Sequence, residues 1–104
     1  KPSNGVLQDV HWSEAMFGYF PTYSLGNVYA GCLYEALLTE LGDIEADLAR
    51  GDLSRPLQWL SEHLQQFGRS RPAQELIETA TGKAASITPL VTYIQRKFSD
   101  LYAL

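Results

Sequence analysis

The stretch LGNVYAGCLYEALLTEL, residues 25–41, decides the fold class of this 104-residue chain. Its apolar residues recur in alternating one- and three-residue steps, with a final step of four, at Leu25, Val28, Tyr29, Cys32, Leu33, Ala36, Leu37 and Leu41. That spacing is typical of an amphipathic α-helix, and it predicts a long helix from Tyr23 to Leu41. Gly42 follows directly and is well placed to end the helix in a left-handed conformation.

Shorter helical patterns follow this stretch, each with its own start or stop signal. Asp43 is a capping residue for a short helix, and Gly51, Gly68 and Gly82 stand where helices are expected to end. In the dipeptide Thr88-Pro89, a capping hydroxyl precedes a proline in the first turn, which predicts the start of the last helix. The predicted ranges are Ile44–Arg50, Ser54–Phe67 and Ala73–Thr81, followed by a last helix from Thr88 with an apolar stripe at Leu90, Ile94, Phe98 and Leu101. Before the long helix, we expect a short helical turn over residues 13–19 with Ser13 as its N-cap, and we expect Pro21 to keep Phe20 out of helical geometry. We therefore predict an all-α fold of about five helices, preceded by an extended or looped segment over residues 1–12.

Composition excludes several classes of partner. The formal net charge is −4 and the eight Lys and Arg residues are scattered, so we expect no nucleic-acid partner. No apolar run approaches the length of a membrane span, so we expect no membrane partner. The single cysteine, Cys32, cannot form an internal disulfide, which favours a cytoplasmic location, and its helical apolar context predicts a small buried residue.

Polar and aromatic residues are concentrated before the long helix. Residues 5–23 contain Gln8, Asp9 and His11 among the aromatic side chains of Trp12, Phe17, Tyr19, Phe20 and Tyr23. A few polar groups in an aromatic surface are typical of a binding cleft. The alternative is a packed aromatic cluster whose Gln8 and Asp9 bind loop backbone, and the residues alone favour this alternative because aromatic clusters are more often core.

The residues alone support no complete catalytic or metal site. Zinc-binding helices carry two histidines four residues apart, whereas His11 and His63 are distant in sequence and neither has such a partner. We expect His63 to be structural or exposed. Asp9, His11 and Ser13 are sequence neighbours, and neighbours rarely supply the geometry of a catalytic triad.

The N-terminal stretch resembles a known family. Gly5-x-x-Gln8-Asp9-x-His11-Trp12 matches the G-x-x-Q-D-x-H-W signature of the carboxypeptidase Taq family, which are zinc metallocarboxypeptidases of the H-E-x-x-H type. The likeness continues through residues 18–23 and 25–27 and covers essentially the whole chain. The chain departs from the family pattern at Ala15, where a glycine is expected. The chain also lacks the H-E-x-x-H helix and the further glutamate that binds the metal.

The resemblance implies that the chain is the C-terminal fifth of a larger, mostly helical metallopeptidase with a deep cleft. Residues 1–104 would be a single C-terminal region, with residues 1–23 as a cleft-wall segment and 24–104 as helical scaffold. Zinc, or another divalent metal, is expected in the parent enzyme, where metal-bound water attacks the last peptide bond. None is expected to be bound by this chain, which should be inactive alone and should expose apolar surface.

The resemblance also implies roles for individual residues. His11 would hydrogen-bond the substrate or the tetrahedral intermediate, and Tyr19 or Tyr23 would donate to the developing oxyanion. Tyr23 is favoured because it is nearer a helix start. Gln8 and Asp9 would orient His11 or bind the substrate backbone. Expected partners are peptide C-termini, the remainder of the parent chain and a second copy in a homodimer; the alternative function is a free-standing, non-catalytic helical protein-interaction module.

Overall fold

The computed structural model describes residues 1–103, and within them it contains helices and turns but no strand. The all-α prediction is therefore confirmed. Three short 3-10 turns are formed by Pro2–Asn4, Val6–Gln8 and Gln65–Phe67. The helices are α1 (Val10–Ser13), α2 (Pro21–Leu41), α3 (Glu45–Ala49), α4 (Ser54–His63), α5 (Ala73–Thr81) and α6 (Thr88–Tyr102).

Helix α2 is the centre of the fold, since α4, α5 and α6 all pack against it. Leu37 of α2, Ile44 and Trp59 of α4 form the main buried cluster. Gly31 lets α6 approach closely, because a Cβ atom there would lie 2.9 Å from the backbone nitrogen of Leu90. The long helix predicted from its apolar spacing therefore supplies the surface on which the others assemble.

Polar contacts also join the helices around this core. The Asp47 carboxylate of α3 is buried and pairs with Arg50 at 2.5 Å and with Arg55 of α4 at 2.7 Å. Arg55 also donates to the carbonyl oxygen of Leu41 at the end of α2. The cysteine Cys32 is buried, as predicted, and its Sγ donates to the carbonyl oxygen of Ser86 just before α6.

The N-terminal segment differs from its prediction. Residues 1–12 were expected to be extended or looped, but they form two 3-10 turns and most of α1. The cause is a series of local bonds, including Gln8 N–H to the Gly5 carbonyl at 2.9 Å and the Asp9 side chain capping α1. Ser13, expected to begin a helix, instead ends α1, and its hydroxyl donates to the carbonyl of Val10.

Two helix boundaries also differ. Phe20 was expected to leave helical geometry before Pro21, but its φ of −56° and ψ of −33° are helical, so α2 begins at Pro21 rather than Tyr23. Helix α4 ends at His63 instead of Phe67, because Leu64 adopts a φ of −134° and the chain continues as a 3-10 turn.

The molecule is open for its size. Its radius of gyration is 17.2 Å, whereas a compact domain of this length has about 13 Å. Its accessible surface is 7713 Å², about a third more than expected for a folded monomer of this mass. Apolar side chains are exposed at both ends, including Phe17 at 73% and Leu101 at 65%. Within residues 1–103, no helix has both the length and the apolar character needed to cross a membrane.

Candidate functional site

Asp9 and His11 form a local, doubly bonded pair at the start of α1. One oxygen of the Asp9 carboxylate accepts the backbone N–H of His11 at 2.9 Å and lies 2.6 Å from the ring Nδ1. The first contact is a helix N-cap, in which a side-chain oxygen satisfies a free backbone donor. Because both contacts use the same oxygen, the cap also holds the imidazole in one orientation.

Tyr23 brings the start of α2 onto the opposite edge of the same imidazole. Its hydroxyl oxygen lies 2.9 Å from His11 Nε2. The two rings meet edge to face, with centroids 5.7 Å apart. Asp9, His11 and Tyr23 therefore form one continuous hydrogen-bonded chain from the N-terminal segment to the central helix.

Aromatic rings surround the imidazole. Tyr19 stacks on it with a centroid distance of 5.5 Å, and Phe20 lies 5.0 Å away. Trp12 packs against Phe20 and Phe17 at 5.6 and 5.8 Å. The His11 side chain is only 17% exposed, whereas Tyr23 is 50% exposed. The cluster thus covers His11 but leaves the tyrosine open to solvent.

The connection between α1 and α2 makes this convergence possible. Ala15 has a φ of +54° and Gly18 a φ of +76°, so the chain turns back twice within four residues. The backbone N–H of Met16 donates to the carbonyl of His11 at 2.8 Å, which closes the first turn. Left-handed backbone favours glycine, so Ala15 occupies a strained conformation.

The electrostatics of the pair give each group a definite hydrogen-bonding role. The His11 backbone N–H, and then its ring, hold the pKa of the Asp9 carboxyl below its ordinary value. The carboxylate is therefore ionised at neutral pH and acts only as an acceptor. His11 Nδ1 must then carry a proton, and a neutral ring presents Nε2 as an acceptor to the Tyr23 hydroxyl.

The other predicted residues lie at different places. Gln8 does not reach His11, and its amide donates to the carbonyl of Ser3. Ser13 bonds backbone on its own helix, so no triad with His11 and Asp9 is assembled. Phe20 was not among the predicted site residues although it touches the His11 ring. Its position three residues before Tyr23, one helical turn, was a usable signal that the expected break at Pro21 obscured.

His63 belongs to the scaffold. Its ring stacks on Trp59 at 4.6 Å, and its Nδ1 lies 2.9 Å from the Trp59 carbonyl oxygen. The indole N–H of Trp59 in turn donates to Glu40 at 2.7 Å, which joins α4 to α2. Within residues 1–103, no group of three or more His, Cys, Asp or Glu side chains is arranged to hold a metal ion.

Comparison with known proteins finds relatives that are described as metallopeptidases. The family model described as carboxypeptidase Taq (M32) metallopeptidase matches residues 1–98. The chain is 40% identical over 99 residues to thermostable carboxypeptidase 1 of Thermus thermophilus and 39% identical over 102 residues to carboxypeptidase 1 of Bacillus subtilis. The crystal structure of the M32 carboxypeptidase from Deinococcus radiodurans matches all of this chain with a TM-score of 0.87 and 39% identity.

This chain belongs to the carboxypeptidase Taq family, as its match over residues 1–98 establishes. It covers only a fifth of its relatives: the matches span 95% and 98% of this chain but 19% and 20% of the Thermus and Bacillus proteins. The structural match likewise spans 21% of the Deinococcus chain. The family resemblance drawn from residues 5–23 is therefore confirmed.

Proposed function

We propose that this chain forms the substrate-facing wall of a zinc carboxypeptidase that releases single amino acids from peptide C-termini. The observation that carries the proposal is the Asp9–His11–Tyr23 chain, with bonds of 2.6 and 2.9 Å, at the edge of an open aromatic surface. An aromatic surface with a few oriented polar groups is suited to bind a peptide. The open side of Tyr23 is where the substrate would lie.

In this proposal each residue of the cluster has a role. Both ring nitrogens of His11 are engaged, by Asp9 and by Tyr23, so in this proposal His11 positions the Tyr23 hydroxyl instead of bonding the substrate directly, and Asp9 orients the His11 ring. Tyr23 is half exposed, and it donates its O–H to the oxyanion when that proton is not committed to Nε2 of His11. Tyr19 stacks on His11 and contributes to the wall rather than to oxyanion binding. Gln8 supports the segment through its bond to Ser3.

The zinc, or another divalent metal, is proposed for the part of the enzyme that the relatives possess outside the matched fifth. Within residues 1–103, no three His, Cys, Asp or Glu side chains are grouped so that they could hold it. We accordingly propose that the chain is inactive by itself. A peptidase assay of the purified chain, with and without added zinc, should give no release of C-terminal amino acids.

The remainder of a full-length family chain is the proposed main partner. The excess accessible surface and the exposed residues Val6, Leu7, Phe17 and Leu101 support this assignment, because exposed apolar patches mark protein contacts. A homodimer of the complete enzyme and a cytoplasmic location complete the proposal, the latter resting on the single cysteine Cys32.

Three variants of a full-length family protein containing this segment test the proposal. Tyr23→Phe should lower turnover about 100- to 1000-fold, which is the usual effect of removing one oxyanion donor. His11→Ala should lower turnover too, while Tyr19→Phe is the matched tyrosine control with a smaller effect. The bound metal, measured by atomic absorption, should be unchanged in all three. Wild-type turnover for both Tyr23→Phe and His11→Ala would refute the assignment.

The free-standing interaction module is the competing function. The parent reading frame distinguishes the two: an upstream segment with H-E-x-x-H supports the peptidase, and a start codon directly before Lys1 supports the module. The specific match of residues 5–12 to the family signature favours the peptidase.

A further inference from the structure

We propose that the protonation of His11 controls the direction in which Tyr23 donates its proton. Tyr23 donates toward His11 while the imidazole is neutral, and it donates outward to a ligand only when the imidazole is doubly protonated. The consequence of this inference for catalysis rests on the proposed role of Tyr23 as the oxyanion donor. The hydrogen-bond directions themselves can be measured without any catalysis.

The first step is the tautomer of neutral His11. The Asp9 oxygen lies 2.6 Å from Nδ1, and an ionised carboxylate has no proton to donate. The proton between them must therefore be on Nδ1. The same oxygen also accepts the His11 backbone N–H at 2.9 Å, so the carboxylate cannot swing away without uncapping α1.

The second step follows from the single proton of a phenol. In the neutral Nδ1–H tautomer, Nε2 has a lone pair and no proton, so the 2.9 Å contact requires Tyr23 to donate. The exposed side of the Tyr23 oxygen then offers only lone pairs. In this state Tyr23 is suited to accept from a water molecule or a peptide N–H, and it cannot stabilise an oxyanion.

The third step is the addition of a proton to Nε2. Imidazolium donates from both nitrogens, so Nε2–H now donates to the Tyr23 oxygen and releases the phenol proton to point outward. The titratable groups that face the ring are Asp9 before α1, Tyr19 in the connecting segment and Tyr23 in α2. Of these, Asp9 carries the charge, while the remaining face is covered by uncharged Phe20.

A consequence is that binding of a carbonyl oxygen or an oxyanion at Tyr23 is linked to proton uptake by His11. In the full-length enzyme, the ratio of wild-type to Tyr23→Phe turnover should therefore fall as the pH is raised and His11 loses its second proton. A tyrosine that acted independently of His11 would give a constant ratio.

The experiment is nuclear magnetic resonance of this chain with ¹⁵N-labelled histidine and ¹³Cζ-labelled tyrosine. The chain has two histidines, so His63→Gln assigns the signals. At high pH, Nδ1 of His11 should resonate as a protonated nitrogen and Nε2 as an unprotonated one. As the pH falls, Nε2 should become protonated and the Cζ signal of Tyr23 should shift with the same midpoint. The inference would be overturned if neutral His11 carried its proton on Nε2, or if the Tyr23 Cζ signal did not shift when His11 is protonated.

Two variants test whether Asp9 or Tyr23 sets the tautomer of His11. Asp9→Ser keeps an oxygen that can cap α1, but the serine side chain is one bond shorter and carries no negative charge. The fraction of neutral His11 with its proton on Nδ1 should therefore fall. Tyr23→Phe should leave the tautomer unchanged, because Asp9 sets it. A full Nδ1–H population in Asp9→Ser would contradict the argument. If these results hold but Tyr23→Phe retains turnover in the full-length enzyme, the proposed function fails and the hydrogen-bond switch stands.

Discussion

Replacing Gly31 by alanine tests the close approach of α2 and α6 on which the fold depends. An alanine Cβ would lie 2.9 Å from the backbone nitrogen, 3.0 Å from the Cα and 3.1 Å from the Cβ of Leu90. These neighbours are mainly backbone, so relief requires α6 itself to move. Forcing extra atoms into such a contact costs about 1–3 kcal/mol.

Alanine also gains helix propensity, and this gain must be separated from the clash. Within a helix, alanine is favoured over glycine by about 0.8–1.0 kcal/mol. Gly26 is the matched control because it lies on the same helix and a Cβ there meets nothing within 4 Å. Gly26→Ala should therefore raise the free energy of unfolding by up to about 1 kcal/mol. The free energy of unfolding of Gly31→Ala should be about 1–3 kcal/mol lower than that of Gly26→Ala.

Urea denaturation followed by circular dichroism measures both values. In a chain of this length, 1 kcal/mol corresponds to roughly 4–8 °C in Tm, so thermal melts should resolve the two variants. The two variants must be compared at one protein concentration. Equal stabilisation by Gly31→Ala and Gly26→Ala would refute the close helix contact.

Further predictions concern strain, an ion pair, pH and association. Ala15→Gly should stabilise the chain by about 1 kcal/mol in urea denaturation, because it relieves a left-handed alanine. Asp47→Ala should destabilise it by about 1–3 kcal/mol, since Arg50 and Arg55 lose a buried acceptor. The Ser54 hydroxyl and then its N–H lower the pKa of Asp52, so this carboxylate stabilises the fold above its unfolded pKa of about 3.9. The stability gap between wild type and Asp52→Ala should be present at pH 7 and disappear as the pH falls through the lowered pKa. Light scattering should detect concentration-dependent association through the exposed apolar surface; a monomer over a wide concentration range would contradict this.

Much of the fold could be predicted because its signals are local. The spacing of apolar residues in 25–41 reflects the helical repeat, and Asp43 and the dipeptide Thr88-Pro89 indicate helix starts. Thr88 does not act as the predicted cap, because α6 already begins at Thr88 and its backbone N–H donates to the Ser86 hydroxyl at 3.2 Å. Asp43 indeed accepts the backbone N–H of Glu45 at 2.8 Å. The turns in residues 1–8 escaped prediction because 3-10 turns of three residues have no repeating apolar pattern.

The contact between Asp9 and His11 is also local, and the family resemblance implied it only as one of two possible roles for Asp9. Residues two apart meet here because Asp9 caps the helix in which His11 is the second residue. Gln8, adjacent in sequence and equally polar, points elsewhere and binds Ser3. Adjacent positions project in different directions, so spacing alone could not separate the two candidates.

The sequence by itself determined the all-helical class, the family and the set of polar and aromatic residues near His11. Only the tertiary structure decided that Tyr23, and not Tyr19, bonds the imidazole. The physical reason is the path of the backbone through Ala15 and Gly18, whose left-handed conformations return the first turn of α2 to His11. Which phenol reaches Nε2 depends on that path, and the period of neither helix encodes it.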